Sequence, residues 1–249
     1  MEAVKQHFAG LARAGWGGTN LKTSTRCSLS HALLVAIDTC GPAGSVALGR
    51  VVGAEVEILN QIELEGRSYS STLVAAVAEL LAQAGTKLSL LHAIVAVNGP
   101  GSFTGVRVGL AAVKGFAEPA RLPVVVVSRL AVLAANANTA SAALDAHRNE
   151  VFLRFADNRE LLGGTTELAS LAPPPRIALC DEAAAFLIAA AWPMTEQIRV
   201  AAPTAADALL FALPRVAARD FVDLELLDGH YLRRSDAEIF GDPAAPARR

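Results

Sequence analysis

Cysteine, histidine, aromatic and charged residues are all scarce in this chain. Its three cysteines, Cys27, Cys40 and Cys180, form no Cys-x-x-Cys pair, so neither a zinc cage nor a disulfide framework is suggested and a reducing compartment fits best. The histidines His7, His31, His92, His147 and His230 include no His-x-x-x-His spacing that would put two imidazoles on one helical face. No metal is expected, and a lone histidine is usually structural or solvent-facing. There is no Gly-x-Ser-x-Gly elbow and no cysteine with an evident histidine partner, so nucleophilic catalysis has no support and no catalytic residue is assigned. The most apolar stretch, around Ala183 to Met194, is too short to cross a bilayer and is ended by Trp192-Pro193, which argues against a membrane role. An excess of one charge is lacking too. The formal net charge is -2, without the basic excess of a protein that grips phosphate backbones by itself.

What is present is apolar: 53% of the 249 residues are hydrophobic and only 18% are charged, which indicates a compact globular protein with a sizeable core. Residues 1–31 stand apart. Lys5, Arg13, Lys22 and Arg26 oppose the lone acid Glu2 among small and hydroxylated residues, a bias that resembles an organellar presequence. A disordered extension and a start codon assigned too far upstream are the other readings, and a poorly ordered segment is expected.

The apolar run Leu33-Leu34-Val35-Ala36-Ile37-Asp38, bounded by Cys40-Gly41-Pro42-Ala43-Gly44, reads as a buried strand. Strands at Ser45 to Val52 and Glu55 to Glu63 follow as an antiparallel meander. From Ser68 to Ala84 the period becomes helical, with Gly85 as a stop. A continuous apolar strand spans Ala93 to Val97, and a glycine loop leads into a second helix from about Thr104 to Glu118, stopped by Pro119. Further elements are a strand at Pro123 to Val127 and a short helix at Leu130 to Asn136. Three antiparallel strands, helix, strand, helix, strand is the half-domain layout of the ribonuclease-H-like and actin-like ATPase folds, an α/β class usually built from two such repeats. Ala143-Leu144-Asp145-Ala146 echoes Ala36-Ile37-Asp38-Thr39 and leads into a strand at Val151 to Phe155, which suggests a second, degenerate repeat. Beyond it a strand at Ile177 to Cys180 and helices at Asp181 to Ala191 and Thr204 to Ala218 are expected. The expected subdomains are 32–139 and 140–236, with 237–249 a flexible tail.

Three features could carry function. In Asn98-Gly99-Pro100-Gly101-Ser102-Phe103-Thr104-Gly105-Val106-Arg107 the glycines allow backbone approaches that side chains forbid, and Ser102 or Thr104 can cap the next helix. Such a loop is either an anion site or a tight, well-capped connection. Asp38 and Thr39 end the first strand where actin-like kinases bring an acid to metal-bound phosphates. A second phosphate loop is missing, however: after residue 140 only Gly163-Gly164 stands in for one, in a stretch that reads as irregular. Turn-capping or an interdomain contact is then the role for Asp38. Third, Val106, Val108, Leu110, Ala111, Ala112, Val113, Phe116 and Ala117 leave the second helix almost no polar face, with Ala75, Ala76, Ala78 and Ala82 beside it on the first. A sheet covers one side of such a pair, so either the C-terminal half or another subunit covers the other.

Leu34 to Thr39, Gly99 to Gly109 and Leu144 to Val151 resemble the TsaB, or YeaZ, family, and the likeness runs over roughly residues 32–236. The resemblance implies an actin-like ATPase fold with degenerate active-site features. It also implies a non-catalytic role in placing threonylcarbamoyl on the adenosine beside the tRNA anticodon, in the cytoplasm. The implied partners are the related catalytic subunit TsaD, met through the two helices, and the ATPase TsaE; ATP and metal are used by those partners, tRNA is met only through the complex, and a homodimer of the free chain is left open. Where the catalytic relative carries a metal-binding His-x-x-x-His, the first helix here holds Ser68-Tyr69-Ser70-Ser71-Thr72. From helical spacing the expected interface comprises Tyr69, Leu73, Val77, Leu80, Val106, Arg107, Leu110 and Val113, although spacing leaves open which stripe faces the sheet. A small-molecule kinase or ATPase of the same fold is the alternative function, and a metalloprotease fails for want of ligands.

Overall fold

The computed structural model describes residues 29, 31–66 and 68–232. The expectations for residues 1–28, for the tail at 237–249 and for Cys27 lie outside them. The first sheet is built from β1 (Leu33–Asp38), β2 (Ala43–Val52), β3 (Glu55–Glu65), β4 (Ala93–Val97) and β5 (Val124–Val127) in the order β3-β2-β1-β4-β5. The β1-β2 and β2-β3 pairs are antiparallel, while β1-β4 and β4-β5 are parallel because helical crossovers join them. Those crossovers are α1 (Tyr69–Gln83) and α2 (Phe103–Ala120).

The second sheet repeats this plan. β6 (Ala142–Asp145), β7 (Glu150–Arg154), β8 (Glu160–Gly164), β9 (Arg176–Leu179) and β10 (Glu196–Arg199) stand in the order β10-β9-β6-β7-β8. Strand for strand it reproduces the first sheet, with the antiparallel pairs β6-β7 and β7-β8 and the parallel pairs β6-β9 and β9-β10. This is the duplicated architecture of the actin-like, ribonuclease-H-like fold, its second copy carrying shorter strands and helices, α4 (Thr165–Ser170) and α5 (Glu182–Ala191). The helix α3 (Arg129–Asn136) lies between the copies: Val132 joins the first core, while Leu130, Leu133 and Ala134 join Ala142, Leu144 and Phe152 of the second sheet.

Several expectations are corrected. The last helix, α6 (Ala205–Ala217), does not belong with the second sheet. Ala205, Ala208, Leu209, Ala212 and Val216 pack into the first core, and Val222 bridges Val124. The boundary expected at 140–236 therefore ends before α6, whose apolar stripe fills the face of the first sheet that α1 and α2 leave open. Leu29 packs on the same core and the His31 N–H donates to Val51 O at 2.8 Å, so residues 29 and 31 belong with the first sheet rather than with an extension ending at 31. Gly163 and Gly164 are not irregular but end β8. α2 runs through Pro119 to Ala120 before Arg121 turns left-handed at φ 51, because proline in a last turn forfeits one hydrogen bond without interrupting a ladder beyond it. Among the described residues, no helix is long and apolar enough to cross a membrane.

Candidate functional site

The glycine motif exists to let the β1-β2 turn dock on the start of α2. The Ser102 N–H donates to Cys40 O at 2.8 Å, and the Thr39 hydroxyl donates to Gly105 O at 2.7 Å. A Cβ at position 101 would lie 2.1 Å from Cys40 O, and one at position 105 only 2.0 Å from Thr39 O. Both positions therefore need glycine for close approach. Ser102 caps α2, its Oγ accepting from the Gly105 N–H at 3.2 Å, and the Gly99-Pro100 peptide is cis. Of the two sequence readings of this loop, the structure provides the tight capped connection.

Asp38, at the end of β1, is 1% exposed. Its Oδ1 accepts the Cys40 N–H at 2.8 Å, and its Oδ2 lies 3.4 Å from Nε of Arg129, which is likewise buried. The contact is an ion pair without hydrogen-bond alignment, since Arg129 Nε finds no acceptor. Burial, the largest single influence, acts to lower the Arg129 pKa, but Asp38 together with the neighbouring Cys40 and Cys180 outweighs it and the guanidinium is held above its ordinary range. Burial likewise pushes the Cys40 thiol well up, and Asp38 adds to that.

Tyr69 donates its hydroxyl to Gly41 O at 2.8 Å and completes the packing under the turn. Burial, reinforced by Asp38, pushes its phenol up to about 12. The folded state thus holds this proton more tightly than the unfolded chain, where the ordinary value is near 10. Stability from this group is fully present below pH 10 and is lost as pH rises from about 10 towards 12. Tyr69→Phe should lower the neutral-pH stability by about 1 kcal/mol through the lost hydrogen bond and flatten that alkaline decline. Denaturant melts at pH 8 and pH 11 check it; an unchanged alkaline slope in the variant would exclude Tyr69 as the source.

Between the two copies lies a cleft of about 820 Å³, with Gly41, Arg129 and Ser102 on the first side and Asp145, Cys180 and Asp181 on the second. Glu160, which sequence reasoning missed, fastens the copies together. It accepts from the Ser128 hydroxyl at 2.7 Å and from Arg154 at 2.7 Å, and pairs with His230 Nε2 at 2.9 Å. Burial acts to raise its pKa, yet bonds from His230, Ser128 and Arg154 prevail and hold the carboxyl below its ordinary value. Arg154 is its cross-strand neighbour in the β7-β8 hairpin, but Ser128 and His230 come from distant stretches, so no local pattern announces the junction.

The helix pair corrects the expected interface. Tyr69, Leu73, Val77 and Leu80 of α1, and Val106, Leu110 and Val113 of α2, are between 0% and 6% exposed and belong to the first core. They form the sheet-facing stripe; of the expected set only Arg107 is exposed. The outward stripe consists of Val74, Ala75, Ala78 and Ala82 on α1, with Arg107 and Ala111 exposed and Val108 and Ala112 half-buried on α2. No described element of the C-terminal half covers it, since α6 occupies the other face of the sheet.

Residues 56–173 match the family model of TsaD, the tRNA N6-adenosine threonylcarbamoyltransferase. The chain is 37% identical over 130 residues to the tRNA threonylcarbamoyladenosine biosynthesis protein TsaB of Haemophilus influenzae, covering 50% of this chain and 53% of that one. An uncharacterised protein of Mycobacterium bovis is 30% identical over 162 residues, 62% of this chain and 76% of its own length. The chain spans about half the length of the TsaB relatives it matches. The solved structure of YeaZ from Pseudomonas aeruginosa superposes with a TM-score of 0.64 at 28% identity, over 81% of this chain and 100% of that one. With the duplicated fold and the Gly99-to-Gly109 motif, these likenesses establish that the chain belongs to the TsaB, or YeaZ, family.

Proposed function

We propose that this chain is a non-catalytic subunit needed for tRNA threonylcarbamoyladenosine formation in the cytoplasm, pairing through the outward stripe of α1 and α2 with the related catalytic subunit TsaD. The observation that carries the reading is that stripe. Val74 is 58% exposed beside Ala75, Ala78, Ala82 and Ala111, an apolar, small-residue strip on a helix pair, suited to receiving an equivalent pair at close range. Relatives named as tRNA threonylcarbamoyladenosine biosynthesis proteins support the pathway. TsaE joins the pair, and ATP and metal act on the partner subunits.

The chain's own hairpin does not suit a metal-bound phosphate. Asp38 is its single carboxylate, and both oxygens are engaged, one by the Cys40 N–H and one facing Arg129. An arginine held there supplies the positive charge that a metal would otherwise bring, with no open coordination position. The isolated chain should therefore neither hydrolyse ATP nor modify tRNA, and magnesium with ATP should leave its melting temperature within about a degree. Co-expression with TsaD should recover both in one complex. Failure to co-purify would sink the pairing, and a clear nucleotide-dependent thermal shift of the free chain would favour a kinase or ATPase of this fold.

A further inference from the structure

We infer that Arg107, stacked on Phe103 beside Tyr231, is a preformed receptor for a carboxylate of the partner helix, at the end of the outward stripe next to the cleft. The inference rests on the pairing reading above and adds the chemistry that the partner must present. The Arg107 Cζ sits 3.7 Å from the Phe103 ring centroid and 5.8 Å from that of Tyr231, and the two rings are 5.0 Å apart at 52°. Phe103 is 39% and Tyr231 36% exposed, so the cluster is open to a partner rather than part of the core.

Stacking fixes the plane of a guanidinium and leaves the donors along its edge available for two parallel bonds to a carboxylate. Ordering that side chain before association removes an entropy cost that a free arginine would meet on binding. Nothing within the described chain uses those donors: no carboxylate lies within ion-pair reach of Arg107, nor of Lys114 or Arg121. Residues 107 and 114 stand seven positions apart, about two helical turns, so these two cations mark one edge of α2, and Arg121 follows at its left-handed C-cap. A helix approaching Ala111 and Ala78 closely enough to pack meets this basic edge, and one bearing acidic side chains complements it. An RNA backbone fits less well, because the cations alternate with the exposed Glu118 and lie beside a small apolar strip.

The test measures affinity of the full chain for TsaD at low and high salt, with Arg107→Ala, Arg107→Lys and Arg107→Glu, and with Ala111→Arg as a separate probe of the surface. Arg107→Ala should weaken binding by about tenfold to a hundredfold and lessen its salt dependence. Arg107→Lys should lose nearly as much, since an ammonium neither stacks flat nor offers a fork. Arg107→Glu should lose more and be rescued by an acid-to-lysine change on the partner helices. Melting of the free chain should stay at the wild-type temperature throughout. If Ala111→Arg abolishes pairing while all three Arg107 variants bind within twofold of wild type, the carboxylate receptor is wrong and the pairing surface stands. If Ala111→Arg pairs normally, the surface itself is wrong. Loss of tRNA from the assembled complex by Arg107→Glu, with subunit affinity unchanged, would assign the cluster to RNA and overturn the inference.

Discussion

Ala111→Arg should abolish pairing with TsaD at micromolar concentration while leaving the free chain folded. Ala111 is exposed on the outward face of α2, one helical turn from Arg107 and level with the half-buried Val108 and Ala112. In the free chain an arginine there reaches into solvent, and its helix propensity is close to that of alanine, so stability should move by no more than about 0.5 kcal/mol. In the complex the same side chain must either separate the helices or bury an unpaired charge, at a cost of about 3–5 kcal/mol. That weakens the dissociation constant by roughly a hundredfold to several thousandfold. Ala78→Arg, on the facing part of α1, should behave alike. Val77→Asp and Val113→Asp provide the contrast, since these side chains are 2% and 0% exposed. A carboxylate at either place has no partner in the first core, and the chain should unfold before pairing can be measured. Gel filtration of co-expressed subunits, with circular dichroism of the free variants, separates the two outcomes. Wild-type co-purification of both alanine variants would move the interface off this helix pair.

That contrast also explains how much of the candidate site could be read in advance. Leu33 to Asp38 and Ala93 to Val97 are continuous apolar runs because both sides of the first sheet are covered, and such runs are legible as buried strands. Ser102 was legible as a cap because its chemistry is local. The phase of the helices was not, because α1 and α2 are apolar nearly all round and periodicity has little contrast to work on. A partial signal lay in residue size: Leu73, Val77 and Leu80 fill the sheet side, whereas Ala75, Ala78 and Ala82 point outward, with the exposed Val74 and the buried Ala76 as exceptions. Large side chains gain most from burial, and small ones permit close helix approach, so size sorts most positions that polarity does not. β10 went unseen because Glu196-Gln197-Ile198-Arg199 carries a single apolar residue, and β8 because its two glycines mimic a loop. The return of α6 to the first sheet, and the bonds of Glu160 to Ser128 and His230, depend on contacts between distant stretches and leave no local mark.

The pair formed by Asp38 and Arg129 belongs to that last group, and removing one member should have the largest effect on stability of any change near the cleft. Asp38→Ala leaves the Arg129 guanidinium, only 5% exposed, without its counter-charge, and deprives the Cys40 N–H of its acceptor. Breaking a buried pair from one side typically costs 3–5 kcal/mol, about a third or more of the stability of an ordinary domain. The β1-β2 turn should loosen first, because the bonds from Tyr69 and Ser102 to Gly41 and Cys40 depend on its shape. Taking away both charges should recover much of the loss: in Asp38→Ala/Arg129→Met no ion remains to be desolvated, and methionine refills part of the volume. Urea denaturation of the two single variants and the double variant gives the coupling directly. A double variant as unstable as the sum of the singles would show that the two residues act independently. Asp38→Ala within about 1 kcal/mol of wild type would show that the guanidinium reaches solvent once released, and that the turn is held by its hydrogen bonds alone.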